Sequence, residues 1–338
     1  RNGNYGQSHS VFYTSNDRGV SWSLDTKLAA TASFQKSIAL SPTTQTLVSI
    51  GSTDGTNWTT YRKANGDGWL LAETYAFTPA AWPVKPAKIV CTAAGVFYAV
   101  GSYRNSGTTR WYVRRSIDDG VTWTDFDTYI HAGAGNAEAL GVAVDGTNLW
   151  VVGYGINTDY YWVVRKWDGT SWSIEDSFTL PTTQGVYLKA NSVLRASDGS
   201  IYVAGEYTKS NGYKAWLVRK KAANSSVWLT VDEFTPAEYQ NAAALTISEN
   251  SEGRIFVAGV IETESGNLKG GVRALMTEGW KTVDSVINYG MGIPHKIAPC
   301  FENHMCVLGV TMNSNWISQV YFRPVSYTHL RAHETVLD

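Results

Sequence analysis

Along most of the chain, runs of apolar and β-branched residues alternate with short polar segments rich in Gly, Asp, Asn and Ser. That is the pattern of short strands joined by turns. Six of the apolar runs close on a glycine: LVSIG, FYAVG, LWVVG, IYVAG, IFVAG and MCVLG, ending at Gly51, Gly101, Gly153, Gly205, Gly259 and Gly309. These glycines recur every 50 to 54 residues, and a strand-built period of that length marks a stacked or radial repeat. Residues 87–130 give the clearest unit. AKIVCTA reads as strand A, a turn at Gly95 leads to VFYAVG as strand B, RWYVRRS follows as strand C, and DDGVT turns into WTDFDTY as strand D.

Four-stranded antiparallel sheets repeated six times need radial closure to hide their edges, which predicts an all-β fold, a β-propeller. The units fall near 34–78, 87–130, 139–180, 190–236, 242–288 and 295–323, with a half-unit near 11–28. Residues 1–324 are therefore expected to form one propeller domain. Six blades are expected if the N-terminal hairpin completes the last one, with seven the alternative. The sequence opens at Arg1, without Met and in mid-repeat, so it carries no information about a leader. From Val325 to Asp338 the pattern stops. This tail (VSYTHLRAHETVLD) resembles translated sequencing-adapter read-through, and His329, His333 and Glu334 within it are set aside.

Composition narrows the partners. A formal net charge of −1 argues against a nucleic-acid ligand, which needs a basic face, and no apolar run is long enough to span a membrane as a helix. Aromatic residues make up 13% of the chain, with 14 Trp and 19 Tyr, and two ladders account for most of the tryptophans. Trp58, Trp111, Trp162, Trp216 and Trp316 open strand C. Trp22, Trp69, Trp123, Trp172, Trp228 and Trp280 open strand D. Repetition at equivalent positions marks both ladders as packing devices. Arg62, Arg114, Arg165, Arg219 and Arg273 on strand C are likewise matched by Glu73, Asp127, Asp176, Asp232 and Asp284 on strand D. The midpoint of each pair falls in the C–D turn, which predicts a cross-strand ion pair within each sheet.

The C–D turns carry a recognisable signature. Ser15-Asn16-Asp17-Arg18-Gly19-Val20-Ser21-Trp22 and Ser116-Ile117-Asp118-Asp119-Gly120-Val121-Thr122-Trp123 follow S-x-D-x-G-x-[ST]-W, and Asp168-Gly169-Thr170-Ser171-Trp172 is a shortened version. The chain thereby resembles the Asp-box (BNR-repeat) β-propellers, a group that includes bacterial sialidases and many unassigned secreted bacterial propellers. The resemblance covers residues 11–323. It implies an extracellular or cell-surface protein, acting as a binding module for glycans or protein partners, with a sialidase-like hydrolase or a structural propeller as alternatives. The early F-R-I-P motif of sialidases is lacking, Phe322-Arg323-Pro324 being a partial match at the wrong end. Arg104 and Arg110 share one loop, Arg195 and Arg254 lie on A–B hairpins, and the four form a poor carboxylate clamp.

Candidate ligand residues gather on the D–A and B–C loops and at the start of strand A. The aromatic set is Trp82, Tyr103, Tyr154, Tyr187, Tyr207, Tyr239 and Tyr289, rings suited to sugar faces. Lys36, Lys88, Lys189 and Lys296 precede or open the innermost strand, with Glu138 in the same place in another unit. Pointing inward, they would form a basic ring for an anionic group. Glu138, Asp159, Glu206, Glu238 and Glu262 are the loop acids available for glycoside hydrolysis, but no local motif pairs two of them. No metal-ligand spacing or cofactor motif is present, and a monomer is expected. Cys300 and Cys306 flank a short turn, where a disulfide is geometrically feasible, but two small buried thiols are the expected state.

Overall fold

The computed structural model describes residues 10–17, 21–28, 33–53, 55–132, 135–180, 187–238, 240–286, 291–300, 304–312 and 318–325. No helix occurs among them. The first sheet is a hairpin of β1 (Val11–Thr14) and β2 (Ser23–Lys27). Next comes the sheet of β3 (Ser33–Leu40), β4 (Leu47–Thr53), β5 (Asn57–Lys63) and β6 (Leu70–Ala76). The third holds β7 (Val84–Cys91), β8 (Phe97–Asn105), β9 (Thr108–Ser116) and β10 (Thr124–Tyr129). The fourth holds β11 (Asn136–Asp145), β12 (Asn148–Ile156), β13 (Tyr160–Trp167) and β14 (Trp172–Phe178). The fifth holds β15 (Leu188–Arg195), β16 (Ile201–Thr208), β17 (Lys214–Lys221) and β18 (Trp228–Phe234). The sixth holds β19 (Ala242–Glu249), β20 (Ile255–Glu262), β21 (Leu268–Met276) and β22 (Gly279–Val286). The seventh has three strands, β23 (Met291–Pro299), β24 (Met305–Met312) and β25 (Ser318–Pro324). Each sheet is an antiparallel meander in which chain neighbours pair. β1 and β2 form a two-stranded sheet of their own.

The chain divides into two compact units, Arg1–Thr158 with Val164–Ile174, and Asp159–Val163 with Glu175–Asp338. In the first, the β1–β2 hairpin packs on the next sheet: Phe12 stacks on Trp69 at 4.0 Å, and Asp25 accepts from Lys63 and from the Trp69 indole.

The repeating glycine has a local cause. In the β3–β4, β7–β8, β11–β12, β15–β16 and β19–β20 pairs, the first strand carries a bulge one residue beyond the partner of the glycine. The bulge folds a carbonyl over that glycine. A Cβ on Gly205 would lie 1.9 Å from the Lys189 oxygen and 2.8 Å from Cζ3 of Trp162 on the preceding sheet. Gly259 meets Ala243 O and Trp216 in the same way. Trp162 and Trp216 therefore fill the space that a larger side chain would need, and Trp58, Trp111, Trp162 and Trp216 are all buried. The strand-D tryptophans sit further out: Trp123 is buried, whereas Trp22 is 49% exposed. Trp316 lies outside the described residues.

The charge pairs differ from the expected arrangement. Four of the five arginines reach the acid of the preceding sheet: Arg114 pairs with Glu73, Arg165 with Asp127, Arg219 with Asp176 and Arg273 with Asp232. The reason is register. A bulge in strand D places Glu73, Asp127, Asp232 and Asp284 opposite Thr60, Val113, Val218 and Val272, not opposite the arginine of their own sheet. Alternate strand positions face opposite sides, so the arginine of a sheet looks back and its acid looks forward. Arg62 instead donates to the Asp119 carbonyl of the following turn.

The two complete turn motifs share one hydrogen-bond pattern. Asp118 accepts from Ser116 Oγ, Thr122 N and Thr122 Oγ1, and Gly120, at φ 79°, gives its N–H to Ser116 Oγ. Asp17 accepts from Ser15 Oγ and from both donors of Ser21, while Gly19 lies outside the described residues. Asp168 takes Thr170 and Ser171 in the shortened turn, where Gly169 has φ 101°. The donors from Ser21 and Ser15 hold the Asp17 carboxyl down to about 2. Stability from this turn is accordingly complete above the ordinary carboxylate range and is lost as pH falls toward 2. A pH titration of the Asp17 side-chain carbon by NMR is expected to show that low midpoint, and Ser21→Ala to move it up.

Cys300 and Cys306 are joined in a disulfide, with Cα atoms 5.7 Å apart, in place of the expected thiols. Cys300 is exposed at the hairpin turn and its N–H bonds to the His304 carbonyl, which brings the two ends within bridging distance. Val325, expected to belong to the patternless tail, is buried and donates to Met305 O.

Candidate functional site

The A–B bulge that crowds the glycine also builds a cavity. In the first unit, the beginnings of β3, β7 and β11 enclose about 420 Å³ together with the ends of β4 and β8. The lining positions follow the register. Lys36, Ala87 and Leu140 are the bulge residues of their strands, and Phe34, Lys85 and Glu138 lie two residues earlier. Successive strands thus place an aromatic ring, an ammonium and a carboxylate at equivalent positions. Lys85 Nζ lies 2.7 Å from Glu138, whose side chain is only 13% exposed while that of Lys85 is 53% exposed. The exposed Lys36 ammonium has no acceptor among the described residues. Ser52 and Ser102 contribute buried hydroxyls, and Ser52 Oγ has no hydrogen-bond partner among the described residues. Such an orphan is costly unless a bound group satisfies it.

Trp82 stands at the edge of this cavity. It is 68% exposed, its N–H bonds Arg104 O, and its indole nitrogen lies 3.7 Å from the position of a Cβ on the lining residue Gly55. A broad exposed ring beside paired charges and free hydroxyls offers one apolar and several polar contacts to a ligand, the combination that a sugar needs.

The other aromatic candidates are placed differently. Tyr103 is taken up in internal packing, 4.3 Å from Phe77 and 5.2 Å from Tyr112. In the second unit, Tyr187 is exposed and packs on Tyr160 at 4.4 Å, and Tyr207 donates to Glu233, with burial pushing its phenol up. Tyr154 is half-buried. Tyr239 and Tyr289 lie outside the described residues.

The four lysines do not share a register position. Relative to the bulge, Lys36 is at it, Lys88 and Lys296 are one residue after, and Lys189 is two before. The position equivalent to Lys189 and Glu138 is occupied by Lys85 and Phe34, which sequence reasoning missed. Aligning strands on the bulge instead of on their first residue would have found them. Lys88 and Lys189 are half-buried, and the protein around Lys296 draws its ammonium below the ordinary lysine value.

The loop acids and arginines are mostly engaged locally. Glu206 pairs with Lys214 at 3.0 Å and Glu262 accepts from Asn241. Arg104 and Arg195 donate to the backbone of Gly107 and Ala196.

No family model matches the sequence, and a search of curated proteins finds no match. Solved structures do match. An α-L-arabinanase from Penicillium chrysogenum complexed with arabinobiose aligns at a TM-score of 0.57 and 14% identity, covering 87% of this chain and 93% of that one. The leech intramolecular trans-sialidase complexed with 2,7-anhydro-Neu5Ac aligns at 0.56 and 10% identity, covering 89% and 69%. A polysaccharide lyase, an ulvan lyase, aligns at 0.58 and 10% identity, covering 88% and 80%. At these identities the likeness establishes the fold: the chain is an all-β protein of the β-propeller class, made of antiparallel blades.

Proposed function

We propose that this chain is a glycan-binding propeller, a secreted or cell-surface module of the Asp-box type that holds a saccharide in the β3–β7–β11 cavity. The observation that carries this reading is the orphan Ser52 hydroxyl, set among Lys36, the Lys85–Glu138 pair and Phe34, with Trp82 exposed at the rim. The aligned structures support the substrate class, because those proteins are named for chemistry on arabinan, sialic acid and ulvan. The turn hydrogen bonds of Asp17 and Asp118 support the Asp-box resemblance.

Binding is favoured over hydrolysis by the composition of the lining. Among the described residues it holds one carboxylate, Glu138, already engaged by Lys85, whereas most glycosidases flank the scissile bond with two. A glycan array with the whole chain is expected to return saccharide hits. Lys36→Ala and Trp82→Ala should each weaken the best of them by about tenfold, the equivalent of about 1.4 kcal/mol. Undiminished binding in both variants sinks the reading. Release of reducing sugar from an array hit, lost in Glu138→Gln, would instead establish the hydrolase alternative.

A further inference from the structure

A second hollow lies in the other unit, between the β15–β18 and β19–β22 sheets near their C–D turns. It measures about 570 Å³ and is bounded by Tyr202, Lys220, Val231, Glu233, Leu275 and Trp280. Its origin is visible when neighbouring sheet interfaces are compared. At three successive interfaces, the residue just before the strand-D acid and the residue two beyond the strand-C arginine of the next sheet meet or line one space. Between the third and fourth sheets these are Phe126 and Trp167. The Phe126 ring fills the wedge, 5.1 Å from Trp167, 5.3 Å from Tyr98 and 6.1 Å from Trp172. Between the fourth and fifth they are Glu175 and Lys221, closed by an ion pair of 2.6 Å. Between the fifth and sixth they are Val231 and Leu275, and two branched aliphatic chains leave open the space that a phenyl ring occupies elsewhere.

The walls of that space are not those of a simple packing fault. Trp280 gives a half-buried indole face, and its Nε1 donor is buried without an acceptor among the described residues. Several other indoles share that condition, but among the described residues Trp280 is the one that lines the hollow. Val231 and Leu275 continue the apolar side. Opposite in character are the exposed Glu233 carboxylate, which already accepts the Tyr207 hydroxyl, and the Lys220 ammonium, 4.9 Å from the centre of the Tyr202 ring. The hollow is therefore large enough to admit a sugar ring, apolar on one side, and supplied with an acceptor and donors on the other.

We infer that this groove binds a single saccharide ring, its C–H face on Trp280 and its hydroxyls directed to Glu233 and Lys220. The site is separate from the β3–β7–β11 cavity and stands or falls independently of it. Carbohydrates match the lining because they present apolar C–H and polar O–H groups on one small rigid ring. An aromatic side chain of a protein partner would use the indole and leave both charges without a new partner.

The test needs a readout confined to the groove. The whole chain labelled with 5-fluorotryptophan provides it, with the Trp280 resonance assigned by Trp280→Phe. Titration with methyl glycosides of galactose, glucose, mannose, fucose and arabinose is expected to shift that resonance saturably for at least one of them. The double variant Val231→Phe/Leu275→Trp rebuilds the filled wedge seen at Phe126 and Trp167, and should fold while reducing the apparent affinity at least about tenfold. Circular dichroism and a melting curve confirm that the variant is folded, and Val231→Phe alone serves if the double variant is not. A Trp280 resonance unmoved by every glycoside overturns the proposal, as does an equal shift in the folded, filled variant. A shift with N-acetyl-phenylalaninamide but not with any glycoside overturns it in favour of a peptide side chain.

Discussion

Arg219→Ala and Asp176→Ala should each destabilise the protein by about 3–5 kcal/mol in urea unfolding, the cost of stranding one charge of a buried pair. Both side chains are at most 10% exposed, and Arg219 Nε lies 2.7 Å from Asp176. The informative quantity is the coupling. A double-mutant cycle on Arg219 and Asp176, which belong to consecutive sheets, should return on the order of 2 kcal/mol. A cycle on Arg219 and Asp232, which share a sheet, should return less than about 0.5 kcal/mol, because Asp232 is held by Arg273. The reverse ranking would show that the bonds close within sheets and that the bulged register of strand D is wrong.

The second large effect is expected at Gly205. Alanine there would put a methyl carbon 1.9 Å from a main-chain oxygen and 2.8 Å from a tryptophan ring, and neither is the free end of a flexible chain. Relief requires the β15 bulge to move, so a loss of about 3 kcal/mol is expected, at the upper end for overpacking. Gly68 is the control. A Cβ on it would meet no atom within 4 Å, and its φ is not positive, so Gly68→Ala should be neutral or stabilising by up to about 1 kcal/mol. Equal melting temperatures for the two alanine variants would remove the steric account of the repeating glycine.

Much of the architecture is legible in the chain because it repeats. The glycine period, the two tryptophan ladders and the Asp–Gly turns recur in the same order in successive repeats, and a strand periodicity reads directly from alternation. What the sequence hides is the bulge. One extra residue in strand D leaves the spacing of Arg114 and Asp127 unchanged, yet it turns the acid to the opposite face, so symmetric spacing about the turn pointed to the wrong partner. The same applies to strand A. Phe34, Lys85 and Glu138 precede their glycines by 17, 16 and 15 residues, since the A–B turns differ in length. A one-residue drift suffices to exchange a cavity-lining position for its neighbour on the other face. Lys36 and Glu138 were therefore identifiable as site candidates, whereas Lys85 and Phe34 required the register. The Ser52 hydroxyl carried no motif, and only its burial without a partner singles it out.

The backward-reaching arginine and forward-reaching acid give the third, fourth and fifth sheets a polarity. In those sheets one period encodes a repeat arginine and a repeat acid that satisfy different neighbours. A tandem duplication of such a period would arrive with both of its edges already matched, so blade number is free to change by recombination without new charges having to evolve.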